Sequence, residues 1–149
     1  MHHFAYRNGV LHCENVSLEA VARELGTPAY VYSDATLRRH YRVLADAFAN
    51  RNTLIAFAVK ANSNIGVLAT LASEGAGADV VSGGEMLRAL EAGIPASRIV
   101  FSGVAKTVEE MKLGLERGIH QFNVESMPEL LRLSRAAEEM GKCAPIAFR

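Results

Sequence analysis

The chain has 149 residues, 50% apolar and 21% charged, enough for one ordinary globular domain with a packed core and too well mixed for a disordered segment. Its 16 basic residues balance 16 acidic ones and gather in no cluster, which argues against nucleic acid or a membrane surface as partner. No apolar stretch of signal-peptide or membrane-spanning length is present, so a cytoplasmic protein is expected, with Cys13 and Cys143 as reduced, buried thiols.

Phe4 to Val16 carries Asn8-Gly9 between short apolar runs, the local chemistry of a β hairpin. Ser17 then opens a helix with Leu18, Val21, Ala22 and Leu25 on one face, stopped by Gly26. Pro28 to Tyr32 reads as a strand, and Asp34 to Phe48 as a second amphipathic helix. From there the pattern repeats. Apolar runs begin near Leu54, Ala78, Ile99, His120 and Pro145, about 21 to 25 residues apart, each followed by a helical segment except the last. Such alternation predicts βα units and a parallel sheet whose strands are covered on both faces. Ser82 with Glu85, Thr107 with Glu110 and Ser126 with Glu129 have capping-box spacing, and Gly75, Gly93, Gly118 and Gly141 supply the stops. The Ser126 helix is expected to pack Met127, Leu130, Leu131, Ala137 and Met140 on the sheet, with Arg132, Arg135, Glu138 and Glu139 in water.

The fold class is thus α/β: a partial (β/α)8 TIM barrel of about four βα units plus a fifth strand, preceded by a short N-terminal β hairpin and helices. Residues 1–33 form the N-terminal segment and 34–149 the first part of the barrel. A half-barrel leaves strand edges and apolar interior open, so the chain is expected to be a fragment of a longer protein.

Three strand ends carry candidate chemistry. In Ala56-Phe57-Ala58-Val59-Lys60-Ala61-Asn62 an apolar strand ends on one lysine, at the edge where parallel barrels place their sites. Partial desolvation there disfavours the ammonium and leaves an amine able to form an imine with an aldehyde; a lysine that merely snorkels to the barrel mouth is the plainer alternative. Asp79 lies inside the next strand and needs a cation or donor, for which Lys60 or a cofactor would serve. After it, Ser82-Gly83-Gly84-Glu85 suits helix capping, or a phosphate at the helix N-terminus. Arg149 closes the fifth strand, where its guanidinium suits a phenolate or carboxylate. In Phe122-Asn123-Val124-Glu125-Ser126, helix capping outweighs ligand binding. The five histidines show no ligand spacing, so no metal is expected, and no Walker or dinucleotide loop is present.

Ala58-Val59-Lys60-Ala61-Asn62 resembles the cofactor-lysine motif of fold type III, alanine racemase-like enzymes of pyridoxal 5'-phosphate. Asp79-Val80-Val81-Ser82-Gly83-Gly84-Glu85, Gly26 to Tyr32 and Phe122 to Ser126 are more similar to diaminopimelate decarboxylases than to ornithine decarboxylases or alanine racemases. The resemblance implies that Lys60 carries the cofactor, that Asp79 lies beside it and that Arg149 contacts its ring hydroxyl. It implies decarboxylation of meso-2,6-diaminopimelate to L-lysine, the last step of lysine biosynthesis, by a cytoplasmic homodimer acting on a small amino-acid substrate. Residues 1–33 would join a C-terminal β domain. Val104 departs from the family, which often has Asn there. The family's phosphate loop, pyridine-nitrogen partner and substrate arginines are expected beyond residue 149, so this piece alone is expected to be inactive. Two alternatives stay open: another fold type III amino-acid decarboxylase of the ornithine, arginine or lysine type, and a non-catalytic cofactor-binding or half-barrel assembly module.

Overall fold

The computed structural model describes residues 2–149 and separates into two compact units, the residues up to Asn50 and Arg51–Arg149. In the first, β1 (Phe4–Arg7), β2 (Val10–Cys13) and β3 (Val16–Ser17) form an antiparallel sheet in that order. The β1–β2 turn is Asn8-Gly9, both with positive φ (50° and 80°), as a two-residue hairpin of that twist requires. Ser17 caps α1 (Leu18–Leu25), which stops at Gly26. The expected strand over Pro28–Tyr32 is absent. That segment bends at Thr27 and Pro28 and then runs without strand pairing, and Tyr30 and Tyr32 stand 91% and 53% exposed, because β propensity makes a strand only where a neighbour completes the ladder. Ser33 then caps α2 (Asp34–Ala47). The Glu14 carboxylate, just past the hairpin, accepts from Ser33 Oγ at 2.7 Å and from the Ala35 N–H at 3.0 Å.

The second unit is a five-stranded parallel sheet, β4 (Ala56–Ala58), β5 (Gly77–Val80), β6 (Ile99–Phe101), β7 (Gln121–Val124) and β8 (Ile146–Phe148), in sequential order. Helices α3 (Ile65–Ser73), α4 (Gly83–Glu91), α5 (Val108–Arg117) and α6 (Met127–Glu139) connect the strands, completing the four βα units and fifth strand expected. The chain leaves the helices at Gly75, Gly93, Gly118 and Gly141, all with positive φ. One face of the sheet carries Ala78, Val80, Ile99, Phe101, Phe122 and Val124, all at or below 2% exposure, in one core with Leu68, Met86, Met111 and Leu133 from the helices. Each such large side chain stabilises the fold by about 1.5–3 kcal/mol. The Phe101 and Phe122 rings stack 6.1 Å apart, and Gly114 lets α5 approach them, since a Cβ there would stand 2.7 Å from Phe122 Cζ.

The other face differs from the continuous apolar strands expected. Gly77, Asp79, Gln121 and Asn123 alternate with the core residues, so β5 and β7 read polar-in, apolar-out. On α6 the packed side is Leu130, Leu133, Ala136, Ala137 and Met140; Met127 and Leu131, expected there, are 64% and 55% exposed. Of the cysteines Cys13 is buried and Cys143 exposed, both free.

Only Thr107 and Glu110 make the reciprocal capping box. At α4 and α6 the serine caps as expected, but Glu85 and Glu129 reach one residue further back, to the N–H groups of Val81 and Glu125, both at 2.9 Å. The N-cap backbone explains the difference. Ser82 and Ser126 are almost fully extended (φ −152° and −160°), whereas Thr107 has φ −79°. The free oxygen of Glu110, Oε1, accepts the Gly83 N–H of α4 at 2.7 Å. A carboxylate therefore takes the Gly83 N–H at the start of α4, one of the donors that a phosphate at that Gly-Gly turn would use.

Burial alone would raise the Glu110 pKa, but the N–H groups of Gly83 and Thr107, the Thr107 hydroxyl and the Lys106 ammonium together hold it below the usual carboxylate value. A carboxylate lowered by folding stabilises the fold above its unfolded pKa, and that stabilisation is lost as pH falls through the folded value. Thermal unfolding midpoints should therefore drop in this acid window, and Glu110→Gln should flatten that part of the curve while lowering stability at neutral pH.

Candidate active site

At the C-terminal ends of β4 to β8 the inner face opens into a cavity of about 490 Å³. Strand alternation decides its lining: Ala56 from β4, Asp79 and Val81 from β5 and its end, Val100 and Ser102 from β6 and its end, Asn123 and Glu125 from β7 and its end, and Arg149 after β8. The register places Ala58 beside Asp79 and Asp79 beside Val100. All three sequence-derived candidates, Lys60, Asp79 and Arg149, line this one cavity.

Lys60 sits in a single 3-10 turn, Val59–Ala61, directly after β4. Val59 is wholly buried, and the turn sends Lys60 the other way. The partial desolvation expected for Lys60 is not found: the residue is exposed, in the turn after β4, which is an edge strand with no neighbour beyond it among the described residues. Its amine forms no hydrogen bond or ion pair with any other described residue. Nor is Lys60 the partner of Asp79; the Ser102 hydroxyl donates to Asp79 Oδ1 instead. Arg149 Nη1 donates to Glu125 Oε1 at 3.0 Å, and that oxygen also accepts the Gly103 N–H at 3.2 Å.

Sequence reasoning missed Ser102, and it put Asn123 and Glu125 down to capping. Only Ser126 of that stretch caps the helix; Asn123 and Glu125 line the cavity. Gly103 holds φ +100° where a Cβ would meet Val81 Cβ at 3.3 Å, so the turn after β6 is restricted to glycine. Val104 is an exposed residue at the rim.

Beneath the rim lies the least expected charge. Lys106, 4% exposed, donates to Gly103 O at 2.6 Å, Asn123 O at 2.7 Å and Glu129 Oε1 at 2.7 Å, and sits 5.7 Å from the Phe101 ring centroid. All three ammonium protons are used. Glu129 Oε2 takes the Glu125 N–H, so one buried pair ties the loops after β6 and β7 to the backbone of three cavity residues.

The Lys60 amine, without a partner among the described residues, the Asp79 and Glu125 carboxylates and the Arg149 guanidinium converge on one cavity at the C-terminal ends of a parallel βα sheet. An unpaired amine among fixed polar groups at that place suits a small polar molecule with an electrophilic carbon, and the class is an α/β small-molecule-binding protein. The family described as "Pyridoxal-dependent decarboxylase, pyridoxal binding domain" matches residues 34–149. Diaminopimelate decarboxylases of Pseudomonas fluorescens and Haemophilus influenzae are 54% and 51% identical over 98% and 100% of this chain. Solved diaminopimelate decarboxylases from M. jannaschii (TM-score 0.94, 36% identity) and from Helicobacter pylori complexed with L-lysine (0.85, 41%) superpose on 99% and 89% of it, and this chain covers 35% and 34% of theirs. The chain belongs to the pyridoxal-dependent decarboxylase family, whose cofactor is pyridoxal phosphate. It spans about a third of the length of the curated relatives it matches, 35% and 36% for the two bacterial enzymes.

Truncating one member of the buried pair strands the other charge. Glu129→Ala should cost about 3–5 kcal/mol of stability in denaturant unfolding, and Lys106→Met with Glu129→Leu should regain only part of it, since the apolar pair leaves no buried charge but deprives the Gly103 and Asn123 carbonyls and the Glu125 N–H of their partners.

Proposed function

We propose that the chain is the N-terminal part of a diaminopimelate decarboxylase, which uses pyridoxal 5'-phosphate to convert meso-2,6-diaminopimelate to L-lysine and CO2. The observation that carries this is the unpartnered Lys60 amine in one cavity with Asp79 and Arg149. Identities of 54% and 51% over essentially the whole chain favour this substrate over those of other amino-acid decarboxylases, and L-lysine, bound in the Helicobacter pylori relative, is the product this reading assigns.

When bound, pyridoxal phosphate supplies an electron sink for the pair left behind as the substrate carboxylate departs. The residues present fit it. Lys60 Nζ is the attachment point for its aldehyde carbon and, released from it, an amine able to carry a proton. Asp79, held by Ser102, sets a negative charge in the same cavity. Arg149 offers a guanidinium, already braced by Glu125, to an acidic oxygen of the ring.

In this reading residues 1–33 belong with a C-terminal β domain and 34–149 begin the cofactor barrel. The working enzyme is a cytoplasmic homodimer acting on a small amino acid, with neither nucleic acid nor membrane as partner. The balance of 16 basic and 16 acidic residues argues against a nucleic-acid or anionic-lipid partner, and among the described residues no helix is long and apolar enough to cross a membrane. The 149 residues alone are inactive in this reading, because five strands leave the cavity unenclosed.

In the full-length enzyme, borohydride treatment with pyridoxal phosphate should place the cofactor's mass on the peptide containing Lys60. Lys60→Ala should abolish that adduct and lower CO2 release from meso-diaminopimelate by roughly three orders of magnitude or more. An adduct that survives the substitution would show the assignment to be wrong.

A further inference from the structure

Ser102 is 4% exposed at the end of β6, and neither the core nor a helix cap accounts for its hydroxyl. It is the middle of a chain of side chains crossing three strands on the inner face. Gln121 Nε2 donates to Asn123 Oδ1 at 2.8 Å, Asn123 Nδ2 donates to Ser102 Oγ at 2.9 Å, and Ser102 Oγ donates to Asp79 Oδ1. The direction of this chain follows from one end. An ionised carboxylate can only accept, so the serine proton must point at Asp79. With its proton committed, Ser102 Oγ must accept, which turns the Asn123 amide nitrogen toward it. The Asn123 oxygen is then left to the Gln121 amide. Turning Asn123 over would set its oxygen against the lone pairs of Ser102 and its amide nitrogen against the amide nitrogen of Gln121. Asp79 receives no other hydrogen bond from the described residues.

We infer that Ser102 is a positioning residue that acts through Asp79: by pinning Oδ1 in a donor chain of fixed polarity, it holds the Asp79 charge at one place in the cavity that Lys60 lines. The inference rests on the cofactor reading above. Without the hydroxyl, Asp79 is free to turn about its side-chain bonds and Asn123 loses its acceptor.

The test uses the full-length enzyme, pyridoxal phosphate as the probe, and equilibrium binding with the visible absorption band of the bound cofactor as readouts. Ser102→Ala should weaken cofactor binding about tenfold, the scale of one lost hydrogen bond to a charged group, and should move the pH profile of the band to lower pH as the neighbouring anion loosens. Ser102→Thr, which keeps the hydroxyl, should restore both. In an Asp79→Ala background Ser102→Ala should add nothing, because a residue that works through Asp79 has no effect once Asp79 is gone. Should Ser102→Ala fail to fold, Asn123→Ala removes the next link and should weaken binding about threefold with the same direction of shift. Binding and band unchanged in Ser102→Ala, or effects that simply add to those of Asp79→Ala, would overturn the inference while a borohydride adduct on Lys60 left the cofactor reading intact. No adduct in the unsubstituted enzyme would overturn both.

Discussion

Alternation along a parallel strand is the constraint from which the rest of this structure follows. Because successive side chains point to opposite faces, the packing of Ala78 and Val80 against the helices fixes Asp79 on the inner face, and Phe122 with Val124 does the same for Asn123. A slip of one residue would drive the Asp79 carboxylate into a layer of buried Phe, Met and Leu and expose that layer's own residues, at a cost of several kcal/mol. The hydrophobic core on the reverse of the same strands thus decides which side chains face the site, and the hydrogen bonds among those side chains decide where their polar atoms sit.

The loops at the ends of those strands have no ladder to hold them, and a buried charge takes over that task. Lys106 binds the carbonyls of Gly103 and Asn123, while its counter-ion Glu129 binds the N–H of Glu125. The carboxylate of Glu125 in turn accepts from Gly103 and Arg149. The pair is at most a modest source of stability, since two desolvated ions roughly offset their own attraction. Its value is geometric: apolar side chains of equal volume would fill the space but would hold none of these backbone groups.

That Lys60, Asp79 and Arg149 meet in one cavity was legible because each is a charged residue closing or interrupting an apolar run, a pattern that needs no partner to be seen. Lys106 was not. Between Ala105 and Thr107 it reads as a surface lysine, and its burial depends on Glu129, a residue that itself reads as a helix cap. Ser102 and Asn123 acquire meaning only beside Asp79 on neighbouring strands; the separations of 23 and 21 residues, one βα unit each, were the signal available. Two further causes explain the errors elsewhere. Pro28–Tyr32 has strand chemistry and no adjacent strand, and Glu85 and Glu129 have capping-box spacing but an N-cap backbone too extended to close it. The periodicity of one segment was readable, whereas contacts between segments, and the backbone angles that redirect the two capping carboxylates, were not.

The cavity's ionisable groups are unequal in a way that suits the proposed chemistry. Asp79 is engaged by Ser102, and Glu125 by Gly103 and Arg149, while Lys60 has no partner among the described residues. Had Asp79 paired directly with Lys60, the carboxylate would favour the ammonium form and withhold the lone pair that an amine needs to attack a carbonyl. A carboxylate engaged at one oxygen by a neutral donor keeps its charge in the cavity that Lys60 lines without forming an ion pair with it. On this view the Ser102 hydroxyl commits Asp79 Oδ1 to a partner other than Lys60, and Asn123, donating to the same hydroxyl oxygen, keeps that serine proton aimed at the carboxylate.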